Sequence, residues 1–534
     1  MRTANQPTGP AADERGVASS EPGRRGAAGS LWPGVVLTAL VVRGALVTQP
    51  ACIDRNGVQL VTFAQQMAAD PVEAMRVTSR QPGFAALLLG ARRALGGWLG
   101  DGPEGWQRCG ELLALVGGVA ACAAVYLLAG RLFDESTARL AALLAIFWPQ
   151  GAHLSAQVLS DMPHLALYLA ALLLVLRAIQ RGHPGRLAAS GLLIGAAYLI
   201  RQEALGLLPV AAVGWWRAPG VVRRGRGVLL LVAGFVIAVA PHSLLTGQWM
   251  PNKNPLDALE RVSRHASGAA GGLLAYGVSF PSAPVRMLED WARSGRYAIS
   301  ILFLVGALAP AAARAEPSGR RLIAMAAAAH VALMLARAAV YGESSARYVA
   351  IPAALCIPWA ASGWSLILRG LRRIGEGPRT GGLRPRLGHF TAQLIALAVP
   401  MTPLVLYAAE PVYGKEAYRV AGRWLGRHAA PDERVLSHEH LEQVLYYAGR
   451  TGPGGAWDRC SRGDSVERIA SIIERLRPAW YVDAERSHDE ELDEAAHVAA
   501  LESGRVAALE PALSVGPAGR RVLVFRVRAA DGRP

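Results

Sequence analysis

The chain has 534 residues, 52% of them hydrophobic, with a mean hydropathy of +0.25; soluble proteins of ordinary composition do not hold that average over such a length, so the first implication is a membrane protein. The formal net charge of +16 does not point to nucleic acid, because a nucleic-acid binder gathers its cations on one face of a soluble fold, whereas here short arginine clusters separate long apolar runs. Five cysteines, an odd number, exclude a complete disulfide framework, and there is no CxxC metal site; Cys52 and Cys109 either pair across one outer loop or remain two thiols.

Residues 1–30, rich in Gly, Ala, Pro and Arg without apolar periodicity, are expected to form a disordered cytoplasmic tail. Leu31 to Thr48 is apolar over the length that crosses ~30 Å of hydrocarbon, and the Gln49-Pro50-Ala51-Cys52 that follows is a poor secretory cleavage site. Further spans are predicted at Glu111 to Ala129, Ala138 to Ala156, Pro163 to Leu176, Leu187 to Ile200, Leu205 to Trp216, Val228 to Leu245, Ile299 to Ala313, Leu322 to Val340, Tyr348 to Leu368 and Phe390 to Ala408, about eleven in all. Two outer segments are long. In the first, Cys52 to Arg108, the residues Val58, Leu60, Val61, Phe63, Ala64, Met67 and Ala68 recur at helical spacing, with Gln59, Thr62, Gln65, Gln66 and Asp70 opposite, which predicts an interfacial helix. Gly83 to Leu99 predicts a second helix that is interfacial, re-entrant or crossing. The other long outer segment is Gly247 to Asp290.

After Glu410 the pattern becomes that of a small soluble α/β domain. Strands are predicted at Val435 to Ser437, Trp480 to Val482 and Arg521 to Arg526, and helices at Leu441 to Tyr447 and Val466 to Leu476. It carries no Gly-rich phosphate loop, HExxH or CxxC, so packing or acceptor docking is the expected role. The expected organisation is therefore a tail (1–30), a transmembrane domain (31–408) and an extracytoplasmic α/β domain (409–534).

Loop charge gives the orientation. Arg131 and Arg139, Arg177 to Arg186, Arg217 to Arg226, Arg314 to Arg321 and Arg369 to Arg386 fall in alternate connections, all on the side of the basic N-terminal tail. The positive-inside rule makes that side the cytoplasm and puts the C-terminal domain outside.

Ionisable residues at the outer face or within a span call for an explanation. Asp54 and Arg55 follow the first span, and Asp161 and His164 occupy a tight outer turn. Arg201, Gln202 and Glu203 interrupt an apolar run at its outer end, Arg347 and Tyr348 open a later span, and Arg43 lies within the first. Each alone has a structural reading: Asp54 caps the helix after it, Asp161 caps the span that begins with Pro163, Arg201 and Glu203 snorkel, and the lone histidines pack. Their convergence on one face favours a shared site. Arginines suit a phosphate, and a positioned carboxylate suits the deprotonation of a hydroxyl.

These residues, read in order, resemble the GT-C superfamily of membrane glycosyltransferases, in its protein O-mannosyltransferase and aminoarabinose transferase-like bacterial branch. The resemblance runs over about Leu31 to Ala408: an acid after the first span, an interfacial helix, Gln81-Pro82-Gly83-Phe84, then Leu159 through His164, Gly195 through Glu203, and Ala346-Arg347-Tyr348 followed by Pro352. It implies an all-α membrane fold in a bacterial inner membrane, to which the C-terminal α/β domain read from the residues after Glu410 is attached. It further implies transfer of a sugar from a polyprenyl-phosphate donor to an acceptor outside the cytoplasm (glycan, lipid or protein) by one inverting displacement. Asp54 matches the catalytic base and Asp161 the second acid, which assists in the site or at a divalent metal ion where one is used. Arg55, Arg80, His164, Arg201, Glu203, Arg347 and Tyr348 are the expected donor-binding residues. Three positions depart from the pattern: Arg55 stands where relatives often have Glu, and Ser79-Arg80 where the aminoarabinose branch commonly has Glu-Lys. A secondary transporter or lipid flippase is the alternative; the sequence shows no internal repeat to support it.

Overall fold

A computed structural model describes residues 32–47, 52–78, 80–218, 224–248, 282–309, 316–341, 346–375, 394–395, 398–399, 401–406, 415–438, 441–451, 455–460, 466–484, 507–516 and 521–529. The expected N-terminal tail, most of the outer segment 247–290, part of the last inner arginine cluster and about half of the span at Phe390 to Ala408 lie outside the described residues.

The helical part begins with α1 (Trp32–Val47) and the helices of the expected outer loop, α2 (Arg55–Ala69), α3 (Pro71–Val77) and α4 (Pro82–Leu99). It continues through α5 (Gly102–Leu132), α6 (Glu135–Ile146), α7 (Pro149–Ser155), α8 (Asp161–Arg181) and α9 (Gly185–Ile200). A 3-10 turn, Gln202–Gly206, leads into α10 (Leu207–Trp216) and α11 (Arg224–Thr246). Then come α12 (Ser282–Ser294), α13 (Ala298–Leu308), α14 (Pro317–Tyr341), a second 3-10 turn, Ala346–Val349, and α15 (Ala350–Gly375). By length and composition, five of the described helical segments can cross a membrane: Gly102–Leu132, Asp161–Arg181, Arg224–Thr246, Pro317–Ala336 and Arg347–Arg373. Trp32–Val47, Gly185–Ile200 and Ala298–Leu308 are shorter apolar helices.

Where the sequence predicts one span over Ala138 to Ala156, the chain breaks into α6 and α7. Pro149 has no N–H, so it cannot bond the Ala145 carbonyl four residues back, and it starts a new helix instead. Arg43 of α1 fills that gap: its Nη2 donates to the Ala145 carbonyl at 2.6 Å, and its Nη1 to the Gly151 carbonyl at 2.9 Å and Ser155 Oγ at 2.5 Å. A cation at the carbonyl end of α6 also suits the helix dipole. Arg43 is thus a structural tie, with its side chain buried in the protein.

The outer loop folds as its caps dictate. Asp70 accepts from the Val72 and Glu73 amides, both at 3.0 Å, with Pro71 at the first helical position. On α2 the apolar residues Val58, Leu60, Val61, Phe63, Ala64 and Met67 are buried, as their spacing predicts, but in a protein core shared with α3, α4 and α5 rather than in lipid. On α4, Leu87, Leu95 and Trp98 are exposed, an apolar face with an aromatic end of the kind that sits at a bilayer interface. Cys52 and Cys109 are both buried there and are not joined in a disulfide.

The C-terminal residues form a five-stranded sheet in the order β2-β1-β3-β5-β4. Its strands are β1 (Val435–His438), β2 (Trp457–Cys460), β3 (Trp480–Ala484), β4 (Ala507–Val515) and β5 (Val522–Ala529), joined by α16 (Lys415–His428), α17 (Glu442–Tyr447) and α18 (Val466–Leu476). β1 runs parallel to β2 and β3, and β5 antiparallel to β3 and β4. The predicted strands and helices of this region are all present; β2, β4 and α16 are additional.

This unit seats on the outer loop and on α5. At ~1.5 Å per residue, the 31 residues of α5 reach about 46 Å, well beyond a hydrocarbon core of ~30 Å. The excess at its start receives the unit: Tyr446 donates to the Pro103 carbonyl, Arg423 pairs with Glu104 at 2.8 Å, and Tyr447 donates to Gln107 Oε1 at 2.7 Å. Tyr447 also accepts from the Ile53 amide at 2.8 Å, one residue before Asp54.

Candidate active site

Asp161 opens α8, but Ser160 holds the N-cap position and the Asp161 carboxylate is buried, so the capping reading fails. Arg201 Nη1 donates to its Oδ1 at 2.9 Å and Arg347 Nη2 to its Oδ2 at 2.5 Å. Arg201 reaches this point because α9 ends on it with an extended backbone, φ −152° and ψ 134°. The following 3-10 turn carries Glu203 back onto the same guanidinium, at 2.8 Å from Nη2 and 3.3 Å from Nε. That is a bidentate fork.

The two carboxylates and two guanidiniums balance in charge, which is the condition for burying them together. The side chains of Asp161 and Glu203 are only 4% and 6% exposed, so neither Arg201 nor Glu203 snorkels. Burial by itself would push the Glu203 carboxyl up; the Arg201 guanidinium overrides it and holds the group well below the usual carboxylate range. The Tyr348 ring lies 5.7 Å from the centre of the Arg201 guanidinium. His164, one turn along α8, and His330, from α14, complete a cavity lined by Asp161, Arg201, Glu203, Arg347 and Tyr348. His330 Nε2 lies 3.0 Å from the Tyr348 carbonyl, while His164 Nε2 is buried without a hydrogen-bond partner among the described residues.

Asp54 does cap α2: its Oδ1 accepts from the Asn56 amide at 2.8 Å and from Asn56 Nδ2 at 3.1 Å. Its Oδ2 makes no hydrogen bond among the described residues. Asp54 is half-buried and is not one of the residues lining the cavity. Arg55 turns to the C-terminal unit, with Nε 3.8 Å from Glu442. Arg80 donates to the Gln59 side-chain oxygen. Its basicity is lowered first by burial and then by the like charges of Arg347 and Arg201, with Glu442 opposing, so Arg80 lies within electrostatic reach of the cluster.

Two glycines bring the outer loop against the cluster. A Cβ on Gly57 of α2 would lie 2.8 Å from the Val158 carbonyl, three residues before Asp161, and one on Gly83 of α4 would lie 2.6 Å from the Leu199 carbonyl, two before Arg201. Asp54 and Arg80 are thereby held on the two segments that carry Asp161 and Arg201.

As arranged, Asp161 does not fit a divalent cation. Both its oxygens are directed at guanidiniums, and among the described residues no three His, Cys, Asp or Glu side chains form a metal-binding group. The sequence reading passed over Gln59, Glu442, Tyr447 and His330 as site residues. Of these only His330 carries a local signal, a histidine inside an apolar span.

Residues 108–244, which hold Asp161, His164, Arg201 and Glu203, match the family model described as dolichyl-phosphate-mannose-protein mannosyltransferase. No curated protein matches the chain. Among solved structures, ArnT from Cupriavidus metallidurans bound to undecaprenyl phosphate superposes with a TM-score of 0.56 at 15% identity, over 94% of this chain and 99% of that one. The apo state of that protein gives 0.57 at 14%, over 94% and 98%. The oligosaccharyltransferase AglB from Archaeoglobus fulgidus, in complex with an inhibitory peptide and a dolichol-phosphate, gives 0.53 at 14%, over 85% of this chain and 69% of that one. At the level of fold the resemblance read from the sequence is borne out: this is a multi-pass membrane protein with the GT-C glycosyltransferase fold.

Proposed function

We propose that the chain transfers a sugar from a polyprenyl-phosphate carrier to an acceptor hydroxyl outside the cytoplasm. The observation that carries this reading is the buried cluster of Asp161, Glu203, Arg201 and Arg347, with Arg80 in electrostatic reach. Two structures of the same fold hold undecaprenyl phosphate and a dolichol-phosphate, which share a phosphate on a polyprenyl chain.

The roles divide by how each group is engaged. Arg201 is shared between two carboxylates and acts as the frame. Arg347, paired with Asp161 and the more exposed of the two guanidiniums at 24%, takes the donor phosphate together with Arg80. Asp54, whose Oδ1 is occupied by the cap, offers Oδ2 as the base. It removes the proton from the acceptor hydroxyl as that oxygen attacks the anomeric carbon; the bond from that carbon to the phosphate oxygen breaks, and the polyprenyl phosphate leaves with its charge held by arginine. His164 and Tyr348 border the sugar.

The test is to give the purified chain undecaprenyl-phosphate sugars together with envelope glycans, lipids and proteins, and to follow products by mass spectrometry. A sugar mass added to an acceptor, with release of undecaprenyl phosphate, is the expected result. Movement of the lipid across vesicles without any covalent product would support the flippase reading instead.

A further inference from the structure

Glu442 belongs to the C-terminal α/β unit, at the start of α17, yet its carboxylate is turned into the outer loop and is only 5% exposed. Gln59 Nε2 donates to its Oε2 at 3.1 Å, Arg55 Nε stands 3.8 Å from the same oxygen, and Arg459 Nη1 lies 3.3 Å from Oε1. The Gln59 amide then continues the chain, because its oxygen accepts from Arg80 Nη2.

An amide has a donor end and an acceptor end, so a neighbour that can only accept fixes which way it points. With Glu442 ionised, the Gln59 NH₂ must face the carboxylate and its oxygen must face Arg80. The reversed amide would set oxygen against carboxylate and N–H against guanidinium, both repulsive. The orientation of an outer-loop side chain is thus set by a charge nearly four hundred residues away, 383 positions along the chain.

We propose that Glu442 is a positioning residue for the donor site: it fixes the Gln59 amide and through it aims Arg80, so that the phosphate site is complete only while the C-terminal unit is seated. This rests on the reading of Arg80 as a phosphate ligand. The lowered basicity of Arg80, to which Glu442 is the first opposing charge, agrees with the geometry. It also gives the C-terminal unit a task at the site that its lack of catalytic motifs leaves open.

The experiment uses the full chain in detergent, with undecaprenyl phosphate as the probe. Glu442→Gln keeps the volume but lets the Gln59 amide turn. Losing one hydrogen bond to a charged group corresponds to about a tenfold weaker Kd for undecaprenyl phosphate. Exchanging the pair, Gln59→Glu with Glu442→Gln, restores an acceptor for Arg80 and a donor for residue 59, so affinity should return toward wild type. A merely structural role would not be rescued in this way. Peptide-resolved labelling of Arg80 with phenylglyoxal, which needs no ligand, should speed up in Glu442→Gln and slow again in the exchange. Unchanged labelling in Glu442→Gln, or an exchange no better than the single variant, overturns the inference. Faster labelling with unchanged lipid affinity would leave the aiming of Arg80 standing and overturn its phosphate role.

Discussion

Asp161 and Arg347 lie 186 residues apart in sequence and meet at 2.5 Å, tying the start of α8 to the turn before α15. Removing the carboxylate takes one of its two acids from Arg201 and breaks the pair with Arg347. Asp161→Ala should therefore cost about 3 to 5 kcal/mol, the usual penalty for breaking a buried pair from one side. Asp161→Asn, which keeps the shape but not the charge, should fall between. Thermal unfolding of the purified variants checks this, and an unchanged transition for Asp161→Ala would show that the cluster does not hold these elements together.

Arg43 answers a defect made by a proline. Arg43→Met fills much of the same volume but leaves the Ala145 carbonyl without a donor, at a cost of about 1 to 3 kcal/mol. Arg43→Lys should recover little, since one ammonium cannot reproduce the planar fork that reaches α6 and α7 together. Both variants should lower the thermal transition and leave undecaprenyl phosphate affinity unchanged below it; a loss of affinity at full folding would move Arg43 into the site.

Gly83 tests the contact between the outer loop and the cluster. Its added Cβ would sit 2.6 Å from a backbone carbonyl, which cannot swing aside as a side-chain tip can. Gly83→Ala should cost about 1 to 3 kcal/mol as overpacking, and should lower transfer activity by moving Arg80 relative to Arg201. Gly90→Ala, on the same helix with open space at its Cβ, is the control and should behave as wild type.

Tyr447 is the seam between the two parts of the chain, giving its proton to Gln107 and accepting from the Ile53 amide. Tyr447→Phe leaves two buried groups unsatisfied, about 1 to 3 kcal/mol each at most. Peptide-resolved hydrogen exchange over α17 and the first turns of α5 should be faster in this variant. Equal rates would show that the seat is held elsewhere.

What the sequence revealed follows from the range of the interactions. The amphipathic spacing of α2 and the strands around Val435 and Trp480 are local, and all were legible; Asp70, read as part of the polar face of α2, instead ends that helix and caps α3. Arg201 and Glu203 were legible as neighbouring charges at the end of an apolar run, but not their pairing, which the extended backbone at Arg201 and the turn after it create. The break at Trp148-Pro149 was visible as a proline but was outweighed by the apolar run around it. Arg43 looked like a site residue because two of its three partners are backbone carbonyls, which no sequence pattern marks. Glu442 and Tyr447 were illegible as site residues because their roles exist only once the α/β unit is seated on α5 and the outer loop.

The central claim is that Asp54 is the base while the arginines hold the phosphate. Asn caps a helix about as well as Asp, and the two Asn56 bonds to Oδ1 can be kept, so Asp54→Asn should unfold at the wild-type temperature and bind undecaprenyl phosphate with wild-type affinity. The decisive measurement is single-turnover sugar transfer from an undecaprenyl-phosphate donor by that purified variant. The account predicts a rate about a hundredfold or more below wild type, the usual contribution of a general base; transfer at the wild-type rate would contradict it and leave Asp54 a helix cap alone.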